Sequence, residues 1–218
     1  MLRCAVPHPR RLAMREGVVL EPRERLEQQL DFIREVDRLK SVLRRTSLID
    51  RSRLENSAEH SWHLTVMALA LFEYAPAGAE LAHVFELLVV HDIVEIDAGD
   101  TFAFDAAANA GKADRESAAA ARLFGLLPDE LGRRLHDCWT EFEEGKTPSA
   151  RFANALDRLQ GLIVNDAPGD GGTWHLHGVT RTQVLARMAP IEDGAPKLWT
   201  VVLDAVTRAV TAGHIPDR

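Results

Sequence analysis

Cysteine is scarce in this chain: among 218 residues there are only Cys4 and Cys138. With Cys4 in a Pro- and Arg-rich start, no disulfide framework is expected, which fits a reducing cytoplasm. Long hydrophobic runs are lacking too. No apolar stretch approaches the ~20 residues needed to cross a bilayer, and "MLRCAVPHPRRLAMREG" has no continuous apolar core of a signal peptide. A cytoplasmic protein with no membrane partner is therefore expected. There is no surplus of positive charge either: 26 Lys and Arg against 33 Asp and Glu give a formal charge of -7. Binding to nucleic acid by broad phosphate neutralisation needs the opposite balance, so no nucleic-acid partner is expected. One or two arginines holding a small phosphorylated ligand remain compatible with that charge.

Two-residue alternation of apolar and polar residues is absent as well, and so is any internal repeat. What is present is helical periodicity. In "ERLEQQLDFIREVDRLKSVLRR", Leu26, Leu30, Ile33, Val36, Leu39 and Val42/Leu43 recur at steps of three and four, which predicts an amphipathic helix from Glu24. "NSAEHSWHLTVMALALFEYA" opens with Asn56 three residues before Glu59, a capping-box pattern, and predicts a second helix starting near His60. "AELAHVFELLVVHDIVEI" is apolar on more than one face and reads as a buried third helix ending before Gly99. Further helices are predicted in "KADRESAAAARLFGL", "PDELGRRLHDCWTEFEEG", "PSARFANALDRLQGLIVND", "TRTQVLARMAP" and "APKLWTVVLDAVTRAVTAG", with a Gly-rich loop at "APGDGGTWHLHG". The fold class is all-α. Residues 1–20 read as a flexible tail, and 21–218 have the length of a single domain.

The segment "LLVVHDIVEIDAGDTF" poses a chemical question. It runs apolar residues into His91 and Asp92, then sets Glu95, Asp97 and Asp100 within the next eight positions. Acids this close to an apolar segment repel one another unless something positive sits among them, and a cation is the simplest candidate. On a helix, His91 and Asp92 project about 100° apart, with Glu95 one turn on. A second "HD", at His136 and Asp137, lies in polar surroundings and reads as a solvated helix face. Burying an unpaired His and carboxylate costs several kcal/mol, so the apolar lead-in separates the two. Two more polar residues in apolar helices are candidate ligands: His60, and Asp157 in "FANALDRLQGLIV". The plainer reading of Asp157 is a salt bridge to Arg151 or Arg158, and His63, one turn past His60, is a rival ligand. Trp62 reads as core or pocket wall, and Asp97 as a helix-end residue paired with a neighbour.

At these residues the chain resembles the HD-domain metal-dependent phosphohydrolases, an all-helical fold, in the ordered pattern His60, His91–Asp92, Asp157. "LKSVLRR", "ENSAEHSWH", "HDIVEIDAGD" and "ALDRLQ" are further similar to the bacterial 5′-deoxynucleotidases and their relatives. The resemblance implies an HD-domain helical bundle and a metal-dependent phosphohydrolase that releases phosphate from (deoxy)ribonucleoside 5′-monophosphates or a similar small phosphomonoester. It implies one divalent ion held by His60, His91, Asp92 and Asp157, with Glu95 and Asp100 handling protons. Arg45, a planar guanidinium able to offer two parallel donors, is then the phosphate-binding residue, preferred over Arg44 and Lys40; a homodimer is implied too. Two imidazoles and two carboxylates suit Mn²⁺, Co²⁺, Fe²⁺ or Zn²⁺ better than Ca²⁺ or Mg²⁺. Thr46 stands where the deoxynucleotidases carry a bulky aromatic beside that arginine, so deoxyribose selection is not implied. A di-iron oxygenase of the same superfamily needs extra histidines between His91–Asp92 and Asp157, and only His136 lies there. A non-catalytic HD-fold sensor is expected to have lost a ligand, and none is lost.

Overall fold

The structure, a computed structural model, describes residues 21–105, 109–167, 169 and 171–218. The expected tail at 1–20 lies outside them. Helix α1 spans Pro22–Val36, with the proline in its first turn, where its missing N–H is no loss. It stops earlier than its periodicity predicts. A 3₁₀ turn, Asp37–Ser41, follows, and then strand β1, Leu43–Ser47. β1 pairs antiparallel with β2, Leu54–Asn56, with Leu43 opposite Asn56 and Ser47 opposite Leu54. This hairpin escaped the period analysis because "LRRTS" and "LEN" are too short and polar to show alternation. It nevertheless turns Arg44 and Arg45 to opposite sides, Arg44 inward and Arg45 outward.

Helix α2 is Ser57–Leu71, and its start is the predicted capping box. Asn56 accepts a hydrogen bond from the Glu59 N–H, and the Glu59 carboxylate accepts one from the Asn56 N–H. Helix α3, Leu81–Val90, ends one residue before His91, and the tight i→i+3 bonds Ile93→Val90 and Glu95→Asp92 lead into α4, Glu95–Ala98. The sequence reading ran one helix through this region; the chain instead tightens at His91. Gly99, at φ +73°, takes a left-handed conformation at the end of α4 that a side chain would strain. The remaining helices are α5 (Lys112–Phe124), α6 (Asp129–Glu144), α7 (Pro148–Asp166), α8 (Gly172–Leu176), α9 (Arg181–Gly194) and α10 (Trp199–Thr211).

α7 is the hub. It packs against α2, α3, α6, α9 and α10, burying Phe152, Ala153, Ala155, Leu156, Leu159 and Leu162. α9 lies close along it because residue 194 is glycine: a Cβ there would sit 2.1 Å from the Arg151 carbonyl oxygen. One continuous apolar cluster runs from Leu39 to Ile215. On α10, Val202, Ala205, Val206 and Ala209 are buried in this core, while Val201 and Leu203 face outward. On α1, by contrast, Leu26, Leu30 and Ile33 remain well exposed, and only Phe32 and Val36 of its apolar residues pack against the core. Trp62 is also exposed, contrary to its reading as core or pocket wall, because it lies on the outer face of α2 with Val66 and Leu69. Among the described residues no helix is long and apolar enough to cross a membrane.

The α2 cap supports both fold and site, since Ser57 and His60 follow it directly. Asn56→Ala should lower stability by about 1 kcal/mol, the usual worth of such a cap. Urea unfolding would show a lower midpoint at an unchanged m-value, with Asn56→Asp close to wild type.

Candidate metal and phosphate site

Two helices and the turn after α3 converge on one acidic centre. α2 supplies His60, fully buried in its first turns; α7 supplies Asp157; the turn after α3 supplies His91 and Asp92, both buried. His60 Nε2 lies 3.0 Å from Asp157 Oδ1 and 3.9 Å from Asp92 Oδ2. His91 Nε2 lies 3.0 Å from Asp92 Oδ1. His60, His91 and Asp157 each offer one ligand atom, all within 4.8 Å of one another. Asp92 bridges the two histidines, so the structure brings together the four residues the sequence singled out.

The fit of this set to a cation shows in an orphaned atom. His91 Nδ1 lies 2.8 Å from the Leu88 carbonyl oxygen and so carries the ring proton. That leaves Nε2 as a lone pair, buried and without a hydrogen-bond partner among the described residues, aimed toward the Asp92 carboxylate at 3.0 Å. Two acceptors facing each other at hydrogen-bond distance need a positive charge between them. His60 is turned to the same point from the other side: its Nδ1 approaches Glu55 at 3.5 Å, and Glu55 is itself gripped by the Gln160 amide at 2.9 and 3.1 Å. A carboxylate behind a histidine fixes the ring for ligation through its other nitrogen. This His-His-Asp group is able to bind a divalent ion.

Charges around the centre are shifted accordingly. Burial opposes protonation of His60, as does Arg44, but hydrogen bonds to Asp157 and Glu55 and the charge of Asp92 prevail and raise it to about 9. Burial lowers His91. Asp157 resists burial because the Arg158 guanidinium and His60 hold it well below the usual carboxylate range. Burial and then the negative charge of Asp92 push the Glu95 carboxyl up to about 8, with Ser57 Oγ donating to it at 2.6 Å. Asp100 sits further out, accepting from the Arg45 main-chain N–H at 3.0 Å.

The arginines are distributed differently from the sequence reading. Arg44 points into the centre, 2.9 Å from Asp92 and 3.5 Å from Glu55. Although burial works against its charge, Asp92, Asp157, Glu95 and Asp100 hold its guanidinium firmly protonated. Arg45 is exposed, and among the described residues its side chain makes no ion pair. It lines both an inner cavity of about 100 Å³, shared with Asp157, Arg158 and Arg187, and an outer cavity of about 570 Å³, where Asp100, Phe102, Phe104 and His177 join it. Arg158 pairs with Asp157, the plainer partner expected for it.

Other sequence candidates fall outside. Among the described residues His63 makes no side-chain hydrogen bond or ion pair, and its ring lies 6.4 Å from that of Trp62, between centroids. His136 packs between Phe124 and Trp139. Asp97 pairs with Arg122, as a helix-end residue should. Trp174 of the Gly-rich segment is buried and lines the inner cavity, while His177 stacks on Phe102 at 4.4 Å. Sequence reasoning weighed Arg44 only as a phosphate ligand and missed Glu55, Ser57 and Arg187. For Glu55 and Arg44 the hairpin had to be seen first; for Arg187 a signal existed, since it shares the stripe of Val184, Met188 and Ile191 on α9.

Comparison with known proteins agrees with this geometry. Residues 36–199 match the HD domain family, and the chain belongs to it. It is 29% identical over 140 residues to the 5′-deoxynucleotidase HDDC2 of Danio rerio, covering 63% of this chain and 68% of that one. To the Xenopus laevis protein of the same name it is 33% identical over 136 residues, covering 62% and 66%. The matches thus span about two thirds of these relatives. The crystal structure of a "predicted metal-dependent phosphohydrolase" from Magnetospirillum magnetotacticum MS-1 superposes with a TM-score of 0.83 at 47% identity, covering 88% of this chain and 98% of that one.

The raised His60 gives a pH signature. In the metal-free protein its protonation stabilises the fold below about 6.5, and this contribution is lost as pH rises through about 9. Binding Mn²⁺ or Co²⁺ through His60 must expel that proton. Calorimetry at pH 7 in buffers of different ionisation enthalpy should report about one proton released per ion. An enthalpy that does not change with buffer would rule His60 out as a ligand.

Proposed function

We propose that the protein is a metal-dependent phosphohydrolase releasing phosphate from nucleoside 5′-monophosphates, ribo- or deoxyribo-, with residues 21–218 acting as one HD domain. One observation carries this reading: Asp157 of the acidic centre and the uncommitted Arg45 line the same cavity. A site that joins a cation-binding cluster to a free guanidinium is built for a phosphate. The named relatives support it, as does the adjoining cavity of about 570 Å³, which is large enough for a nucleoside and walled by Phe102, Phe104 and His177.

A divalent ion of the Mn, Co, Fe or Zn group, held by His60, His91, Asp92 and Asp157, supplies Lewis acidity that lowers the pKa of water and offsets phosphoryl charge. The chain's own residues do the rest. Arg45 offers parallel donors to the phosphate oxygens and orients the phosphorus. Asp100, tethered to the Arg45 main chain, stays beside the same oxygens without occupying the guanidinium. Glu95, buried and fixed by Ser57, can hold or yield a proton near neutral pH, as proton transfer at a reacting oxygen requires. As the water oxygen bonds to phosphorus and the bond to the 5′-oxygen breaks, a proton leaves the water and one reaches the departing oxygen; Glu95 and Asp100 are the groups placed to carry them. A cytoplasmic homodimer belongs to the same reading, supported by the open stripe of Trp62, Val66 and Leu69 on α2.

Phosphate release from a panel of ribo- and deoxyribonucleoside 5′-monophosphates, with Mn²⁺ or Co²⁺ added, tests this. Wild type should turn over at least one of them. Asp157→Asn should lose both bound metal and activity, whereas Glu95→Gln should keep the metal and lose about 10²–10⁴-fold in kcat. Equal rates for wild type and Asp157→Asn would sink the proposal.

A further inference from the structure

Four arginines line the inner cavity, and they fall into two kinds. Arg44 is bound to Asp92 and Glu55, and Arg158 to Asp157, so their charge is spent within the protein. Arg45 and Arg187 line the same space, and neither makes an ion pair or side-chain hydrogen bond among the described residues. Water can solvate the charge of Arg45 because it is exposed. Arg187 is less open to water: it lies on the face of α9 that carries buried Val184, Met188 and Ile191, partly buried itself. Asp157 and Asp100 line the same cavity, but among the described residues neither forms an ion pair with Arg187, and a partly buried guanidinium without a direct partner is unfavourable unless an anion completes it.

We propose that Arg187 is a second phosphate-binding side chain of this cavity, sharing with Arg45 the anionic group of the substrate. The inference rests on the phosphate reading of the site given above. Burial, and then the like charge of Arg158, outweigh the pull of Asp157 and lower the Arg187 guanidinium to about 10, so an anion beside it relieves an electrostatic cost. Arg158 cannot take this role without abandoning Asp157. Arg187 therefore adds affinity for a group carrying two negative charges, which favours a phosphomonoester over a phosphodiester. It also explains why a chain of net charge -7 attracts an anion here.

The probe is inorganic phosphate, followed by thermal shift and by competitive inhibition of the metal-loaded enzyme. Arg187→Met should bind phosphate about ten- to hundredfold more weakly than wild type, the usual effect of losing a charged hydrogen-bond partner. Without phosphate, its melting temperature should equal or exceed that of wild type, because an unpaired charge has been removed. An arginine serving only the fold would show the reverse: lower stability and unchanged phosphate affinity, and that result overturns the inference. Should Arg187→Met not fold, Arg187→Gln keeps the reach without the charge, and wild-type affinity in it overturns the inference equally. Failure of the two ideas is separable. If nucleotides are hydrolysed while Arg187→Met binds phosphate normally, only the arginine's role falls; if no nucleotide is hydrolysed but phosphate binding depends on Arg187, only the nucleotide reading falls.

Discussion

Everything in this molecule is arranged around carboxylates that have been taken out of water. Glu55, Asp92 and Glu95 are buried, and Asp157 nearly so, around two buried imidazoles. Such a group of like charges cannot persist in an apolar interior unless each is paired, protonated or coordinated. Pairing and protonation are both seen here, and a buried histidine lone pair lies beside them. Arg44 and Arg158 neutralise Asp92 and Asp157, Glu95 is pushed toward its protonated form, and His91 Nε2 is left as a lone pair for a cation. Removing one partner from a buried pair costs about 3–5 kcal/mol, so the site and the fold share the same interactions.

The scaffold is explained by that demand. Asp157 must be presented from a rigid element, and α7 is the element most of the molecule packs against. His60 must stay immobile, and it follows a capping box at the start of α2. His91 and Asp92 must both face inward although they are adjacent, which a regular buried helix would resist. The tightening of the chain after Val90, with i→i+3 bonds, brings both to the centre. Gly99 then redirects the backbone so that Asp100 returns to the cavity and accepts from the Arg45 main chain.

The sequence shows the acids and histidines because they interrupt apolar helices, and an interruption is visible wherever the period is strong. His60, His91 and Asp157 were legible for that reason, and so were the α2 cap and nearly every helix. The hairpin was not legible: "LRRTS" and "LEN" carry no apolar alternation, and the α1 period runs on into β1 as though the helix continued. The error reached the site, because on a helix Arg44 and Arg45 are both solvated end charges, whereas on a strand they take opposite faces. Trp62 failed differently. An aromatic in an apolar helix is read as core, but α2 is apolar all round, and periodicity cannot say which face such a helix leaves open.

The two kinds of arginine follow from the same electrostatics. A centre holding four carboxylates would repel a phosphate dianion before any chemistry began. Arg44 and Arg158 cancel that field at its source but, having done so, have little left for a substrate. Attraction of the phosphate then requires cations that no carboxylate has claimed. Asp100 accepts from the Arg45 main-chain N–H and not from its guanidinium. The arrangement keeps an acid beside Arg45 while leaving the guanidinium's donors free of it.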